Sequence, residues 1–233
     1  SIVLKELADA LDIHLKLHAL FRDRAAKKKP VRILIGGGGI AGVETSGEIR
    51  NSVRHHGLHR GFDPKLVTVD LVEAAPTILP GLDPWVQQQA MARLKMLGVT
   101  VHTGQPITKV DDTSVTMKDG KQLPYDLFLW NGGIKAPAIL SQLGEPLVGK
   151  QQVGVTPELH LPKNDRIYVV GDSACFIDPK TTRPVPQIAP VAVAEGRLAA
   201  ANIWRTLRGE SLKPYQPMTS GYVFPVGGRW AIS

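Results

Sequence analysis

Val31-Arg32-Ile33-Leu34-Ile35-Gly36-Gly37-Gly38-Gly39-Ile40-Ala41-Gly42-Val43-Glu44 is the stretch on which the fold turns. An apolar run passes directly into glycines, and from Gly37 the pattern G-x-G-x-x-G falls on Gly37, Gly39 and Gly42. Val43 to Val53 predicts a helix, and a second apolar run, Leu66 to Val72, ends at an acid, Glu73. Strand, glycine turn, helix, strand and acid together make the unit that binds dinucleotides. Gly37 allows the tight turn, Gly39 lets the backbone approach a pyrophosphate, and Gly42 lets helix and strand pack closely. The helix N-terminus offers free N–H groups and partial positive charge to the phosphates. Glu73 would accept hydrogen bonds from the adenosine ribose hydroxyls. A carboxylate there repels the 2′-phosphate of NADPH, and Ala74 and Ala75 bring no cation, so NADH is the expected dinucleotide.

Just beyond the loop, Ser46 and Gly47 keep the helix face small where it meets the sheet. Glu73 lies farther from Gly42 than the usual spacing of about 20 residues, and a polar insert, Arg54 to Gly61, accounts for the extra length. The insert carries His55, His56 and His59 with no acid at ligand spacing, so it reads as a solvated helix end and not a metal site.

The whole chain sets outer bounds. Its 233 residues can bury one or two cores, and 43% hydrophobic with 21% charged residues is ordinary for a globular protein. No apolar run approaches the roughly 20 residues needed to span a bilayer, and no signal-peptide pattern is present. Cys175 is the only cysteine, which excludes an internal disulfide and a C-x-x-C redox pair. The expected compartment is cytoplasmic, or the cytoplasmic face of a membrane. The net charge of +7 is spread out apart from Lys27-Lys28-Lys29. Without interleaved aromatics it reads as a solvated surface, and nucleic acid is not an expected partner.

Taken in order, Leu4, Leu7, Leu11, Leu15 and Leu17 predict a helix over the first 26 residues, released into a strand by Pro30. Asp83 and Pro84 open a helix that runs to Leu97 and stops at Gly98. Four β-like runs follow (Val99 to His102, Ile107 to Val110, Ser114 to Met117, Lys121 to Leu123), with a hairpin signal at Asp119-Gly120. They predict a small meander inserted in a doubly wound sheet. Tyr125 to Trp130 predicts a buried strand ending in Asn131-Gly132-Gly133, which reads equally as a ligand approach or a plain turn. Ile167 to Val170 predicts another buried strand, ending in Gly171-Asp172; the acid would meet a ligand hydroxyl or cap the next turn. Val191 to Arg208 predicts a long helix, and the tail from Gly221 to Ile232 a hairpin around Gly227-Gly228.

These pieces, in this order, resemble the FAD-dependent pyridine nucleotide oxidoreductases, flavoproteins with two dinucleotide-binding domains, and among them the type II NADH dehydrogenases. The matching segments are Gly37 to Glu48, Val69 to Gly81, Phe128 to Pro137, Ile167 to Ala174 and Gly196 onward. The resemblance implies an α/β fold: a Rossmann-like NAD(P)-binding domain with an inserted β-meander, plus the later part of a split FAD-binding domain. The expected boundaries are a connecting helix over 1–29, the NAD(H) domain over 30–135, the partial FAD domain over 136–210 and a hairpin segment over 211–233. It further implies FAD and NAD(H) as cofactors. Asp172, after Gly171, would hold the FAD ribityl chain, and the helix start at Ile188 and Ala189 would lie by the flavin ring. Gly132 and Gly133 would let the nicotinamide nucleotide approach, and Glu44 matches a family acid near the cofactor pocket, the candidate for tuning or protonation.

The implied reaction takes hydride from NADH to FAD and passes electrons to a quinone or another small-molecule acceptor. Peripheral membrane association of a longer parent protein and a homodimer are further expectations. The family carries a first glycine loop for FAD that this chain lacks, so an interior fragment is expected. Pro190 and Ala194 stand where quinone-using members have glutamines. Two other readings stay open: a non-catalytic nucleotide-binding module, and an NADH-dependent ferredoxin or small-molecule reductase. Cys175 reads as a small packed residue.

Overall fold

The computed structural model describes residues 2–4, 6–27, 29–56, 62–217 and 223–232. Lys28, His59 with the rest of the 57–61 insert, and Gly221 lie outside the described residues. The chain divides into two compact units, Ser1–Gly133 with Val223–Ser233, and Ile134–Tyr222.

The first unit is built on strands β1 (Ile2–Val3), β2 (Val31–Gly36), β3 (Val67–Val72), β4 (Val99–His102), β5 (Ile107–Val110), β6 (Ser114–Met117), β7 (Gln122–Pro124) and β8 (Leu127–Trp130). Its helices are α1 (Leu7–Lys27), α2 (Ile40–His56) and α3 (Pro84–Leu97). Five strands form one all-parallel sheet in the order β1-β8-β2-β3-β4. Ile33 pairs with Val69 on one side and Leu127 on the other. The β2 pattern is almost wholly buried, as expected of a central parallel strand covered on both faces. Successive strands β3 and β4 step away from β2 in one direction and β8 lies in the other. The carboxyl ends of β2 and β8 therefore flank the reversal point where such sheets bind ligands.

The two faces are covered differently. Leu71, the register partner of Ile35, faces α2: its Cδ1 lies 3.5 Å from where a Cβ on Gly42 would be. On the opposite face, Leu34, Val72 and Phe128 pack with Val115 and Met117 of the antiparallel β5-β6-β7 meander. Val99 to His102 departs from the expected meander. It pairs in parallel with β3 as the sheet's edge strand, because α3 carries the chain back to the sheet before the hairpins begin. α3 has the predicted ends: Asp83 Oδ1 accepts from the Trp85 N–H at 2.8 Å, and Gly98 closes it at φ +87°. α1 also belongs to this unit. Arg24 pairs with Asp126, whose other oxygen accepts the Arg32 N–H at 2.8 Å, tying the helix to the entry of β2 and β8.

The second unit contains β9 (Leu147–Val148), β10 (Gln152–Gly154), β11 (His160–Leu161), β12 (Asn164–Tyr168), β13 (Ala174–Cys175) and α4 (Ala189–Leu207). β10 pairs in parallel with β13 and antiparallel with β9. Ala136, Leu140, Val153, Leu161, Val169 and Ala174 form one core, and Leu159, Phe176 and Tyr215 another. The stretch Ile167 to Val170, expected as one buried strand, does pack inward, with Val169 in the first core and Ile167 and Val170 packed against the two cores, but only its first two residues are strand. β12 begins earlier, with Asn164 to Arg166 exposed, ends at Tyr168, and among the described residues pairs with β11 alone.

Strands β14 (Phe224–Pro225) and β15 (Ala231–Ile232) form the expected hairpin, and it joins the first unit. Arg93 donates to the carbonyls of Val226 and Gly227 at 2.9 and 2.7 Å, and Glu48 accepts the Gly228 N–H at 2.8 Å.

One side chain ties three elements of the first unit together. Arg50 on α2 donates to Leu97 O at the end of α3, and to Pro64 O and Val67 O at the entry to β3. Arg50→Ala leaves these carbonyls without that donor. It should lower unfolding free energy by about 2 kcal/mol, read as a lower urea midpoint.

Candidate functional site

The glycine loop occupies the gap left where β2 and β8 end. Gly37 takes φ +105° and its N–H donates to Val72 O at 2.8 Å, so the loop turns while still bonded to β3. A Cβ on Gly37 would lie 2.3 Å from Asn131 O. A Cβ on Gly42 would lie 1.8 Å from Gly37 O, because the first turn of α2 rests on the loop. Gly39 differs: a Cβ there meets nothing within 4 Å. α2 starts at Ile40, three residues earlier than the sequence pattern predicts, and its first intrahelical bond is Val43 N–H to Gly39 O at 3.0 Å. The amides of Ile40, Ala41 and Gly42 precede that bond and carry the helix's partial positive charge.

Glu73 ties this loop to the end of β3. One carboxylate oxygen accepts the Gly38 N–H and the other accepts the Ala75 N–H at 2.7 Å. A carboxylate offers about four lone-pair sites, so two bonds leave it able to accept from a diol. Its backbone is fixed as well, with N–H to His102 O at 2.8 Å and C=O accepting Gln105 N–H at 3.0 Å. Next to it on the sheet, His102 Nε2 lies 2.8 Å from Asp70 Oδ1.

At the end of β8 the Trp130 indole lies against two glycines. A Cβ would meet it at 2.7 Å from Gly36 and at 2.2 Å from Gly132. Gly132 thus makes room for Trp130, whereas Gly133, at φ +104°, faces open space. Asn131 donates to Thr45 Oγ1 at 3.3 Å, and its N–H reaches Gly36 O at 2.7 Å. Its side-chain oxygen is buried and has no partner among the described residues. Glu44, which precedes Thr45, is half-buried, and burial pushes its carboxyl up from the ordinary value. The structure brings Gly37, Gly42, Glu73 and Gly132 together around one loop, with Gly39 open beside them. The sequence reading gives Gly38 no role and meets Trp130 and Asn131 only as the end of a strand and the start of a glycine turn; nothing local signals their contacts with the loop.

In the second unit, Gly171 (φ +62°) opens the short turn Gly171–Ser173. Asp172 is exposed, its carbonyl accepts the Gln187 side-chain N–H at 3.0 Å, and its carboxylate has no partner among the described residues. Glu195, 1% exposed, accepts the Gly171 N–H at 2.6 Å. Burial raises its carboxyl above the ordinary value, and the Gly171 bond opposes that rise. The missed signal is an acid on the buried stripe Val191, Glu195, Ala199, Asn202 of α4. α4 has Ile188 as an extended N-cap with no side-chain cap, and Pro190 brings no N–H, so Ala189 and Val191 supply its open amides. Such a turn and helix start suit a polyol and an electron-rich ring. Cys175 is half-buried, and burial pushes its thiol up, away from a reactive thiolate. Among the described residues no group of three His, Cys, Asp or Glu is placed to hold a metal, and no helix is long and apolar enough to cross a membrane.

Known proteins give this geometry a context. The family model of the pyridine nucleotide-disulphide oxidoreductases matches residues 4–196. The type II NADH:quinone oxidoreductase of Staphylococcus aureus (strain NCTC 8325) is 29% identical over 216 residues, covering 90% of this chain and 54% of the relative. The chain thus spans about half the length of the curated relatives it matches. Among solved structures, NDH2 from Plasmodium falciparum in complex with NADH aligns at a TM-score of 0.83 with 15% identity, over 99% of this chain and 64% of that one. The ferredoxin reductase for the CYP199A2 system from Rhodopseudomonas palustris aligns at 0.66 with 21% identity, over 92% and 48%. At these identities the structures speak for the fold.

Two outcomes are expected of the loop and its acid. Gly39→Ala fits without contact and should keep the melting temperature of the parent; if the loop receives the pyrophosphate as its glycine pattern implies, the added methyl should weaken NADH binding about tenfold or more. Gly42→Ala collides with Gly37 O and should lower the melting temperature itself; calorimetry and titration separate the two. For Glu44, whose carboxyl is raised, the stability it contributes is whole below the ordinary value of 4.5 and declines as pH rises through the folded value. Glu44→Gln should therefore melt higher than the parent at pH 8, with the difference closing towards pH 4, in a melting series across that range.

Proposed function

The chain belongs to the pyridine nucleotide-disulphide oxidoreductase family, and on that premise we propose that it carries the NADH-binding unit and the later part of the FAD-binding unit of a flavin-dependent NADH:acceptor oxidoreductase. The observation that carries this reading is the loop at Gly37 to Gly42: an open Gly39, three helix amides that precede the first intrahelical bond, and a carboxylate anchored beside it. The amides of Ile40, Ala41 and Gly42 bind the pyrophosphate. Glu73 takes the adenosine ribose hydroxyls and, having no neighbouring cation at Ala74 or Ala75, disfavours a 2′-phosphate. Gly133 and the unpartnered Asn131 oxygen serve the remainder of the dinucleotide.

In the second unit Asp172 and Gly171 hold the flavin's polyol chain, and the amides of Ala189 and Val191 at the start of α4 stabilise negative charge on its ring. Bound FAD supplies the two-electron acceptor for hydride. The protein's part is orientation and electrostatics, because hydride transfer needs no side-chain acid or base. Glu44, whose carboxyl burial pushes up from its ordinary value, is the group proposed to tune or protonate near the site. The acceptor class is a quinone or a smaller soluble acceptor. The Staphylococcus aureus relative supports the quinone, and Pro190 and Ala194, in place of glutamines, support the other.

The absorbance spectrum of the purified protein tests the reading first. Visible flavin bands that bleach on adding NADH are expected; a colourless protein that still binds NADH would leave only a nucleotide-binding module. Glu73→Ala should weaken NADH binding about tenfold and narrow its preference over NADPH. Unchanged affinity for both would remove Glu73 from the ribose role.

A further inference from the structure

Glu195 has no place in the packing of an apolar helix face. It lies on the stripe Val191, Glu195, Ala199, Asn202 and is 1% exposed, where a leucine would pack without desolvating a carboxyl. Asn202, the other polar member, closes its own core: its amide donates to Glu158 O and Lys213 O at 3.1 and 2.8 Å, and its oxygen accepts the Lys213 N–H at 2.9 Å. Glu195 makes its bond elsewhere, to the N–H of Gly171 at 2.6 Å. That amide begins the turn whose next residue is Asp172. The turn is thus held at both ends of one short segment, by Glu195 at the Gly171 N–H and by Gln187 at the Asp172 carbonyl, 3.0 Å from its amide. Ala192 supports it from α4, 3.2 Å from where a Cβ on Gly171 would lie.

The surroundings of Glu195 make this acceptor demanding. Tyr215 packs edge-to-face on Phe176 with centroids 5.1 Å apart, and its hydroxyl is buried with no partner among the described residues. Burial, and then the nearby charge of Glu195, push that hydroxyl's pKa up. A buried acid beside an unpaired hydroxyl is costly to keep, and the Gly171 N–H is the bond it gains in return.

We propose that Glu195 is a positioning residue, fixing the Gly171 amide so that the Asp172 carboxylate is presented, free of protein partners, to a polyol ligand. The ligand assignment rests on the flavin reading above; the positioning does not. Glu195 touches no ligand atom in this role and acts only through the turn.

The test compares Glu195→Gln, which retains a side-chain oxygen to accept the Gly171 N–H, with Glu195→Leu, which does not. Amide hydrogen exchange is read by NMR at Gly171 and, as an internal control, at Lys213, which is bonded to Asn202 on the same helix. In Glu195→Leu the Gly171 amide should exchange about tenfold or more faster, the scale of losing one charge-assisted bond, with Lys213 unchanged and the parent's behaviour restored in Glu195→Gln. FAD affinity of the same proteins should follow, about tenfold weaker for Leu and near the parent for Gln. Unchanged Gly171 exchange in Glu195→Leu overturns the positioning role. Equal loosening at Gly171 and Lys213 overturns it too, since Glu195 would then merely hold the fold. Selective loosening at Gly171 in a parent protein that binds no FAD upholds the positioning and overturns the flavin reading alone.

Discussion

Helix α2 leaves the sheet with no room for a side chain at Gly42, where a Cβ would fall 1.8 Å from the Gly37 carbonyl. This contact governs the first unit. It sets the start of α2 directly above the exit of β2, and so decides how closely the helix lies on Leu71 and the sheet beneath. It also sets the helix's first amides, those that precede its first intrahelical bond, beside Gly39, so one steric constraint serves packing and the proposed site alike. The same economy appears at Gly37, whose turn leaves its N–H on Val72 O and its missing Cβ opposite Asn131 O. Fold and glycine loop are one construction here, and a change that loosens the helix from the loop alters both.

Carboxylates complete the picture, and three of them behave differently for physical reasons. Glu73 is matched by two backbone N–H groups and works as a brace across the loop. Glu44 is half-buried, and its carboxyl is pushed towards the neutral form by burial alone. Glu195 is buried almost completely, with one backbone N–H opposing the rise that burial imposes. Sequence distinguishes none of these states, since all are the same residue type. The number of donors and the depth of burial are what separate them.

Much of the first unit was nonetheless legible. The apolar run of β2, the glycine spacing, the acid after β3, and the caps of α3 at Asp83 and Gly98 are local signals, and local signals survive folding when each agrees with its neighbours. The doubly wound sheet with its inserted meander followed from them. What failed was context. Val99 to His102 has the same short β pattern as the meander strands, and nothing within four residues says that it pairs in parallel with β3. Ile167 to Val170 is apolar and does pack inward, yet its strand is a short hairpin arm that starts at the exposed Asn164 and ends at Tyr168. Parallel and antiparallel edges are chosen by distant partners, which no window of sequence contains.

The second unit shows where reading by motif stops. Gly171-Asp172 was visible as a strand-terminal glycine and acid, but the residue that holds the turn lies on α4, in a stretch that reads simply as a helix. An acid on the buried side of an otherwise apolar period is a detectable conflict: leucine would pack there without desolvating a carboxyl, and the chain keeps glutamate. Asn202, two turns later on the same face, is a conflict of the same form with a different resolution, because its partners are backbone groups of its own core. The distinction is between a polar group that closes the fold and one that sets the direction of an exposed carboxylate. Burial alone does not make that distinction. The identity of the bonded partner does, and for Glu195 the partner is the amide one residue before the only acid in the turn.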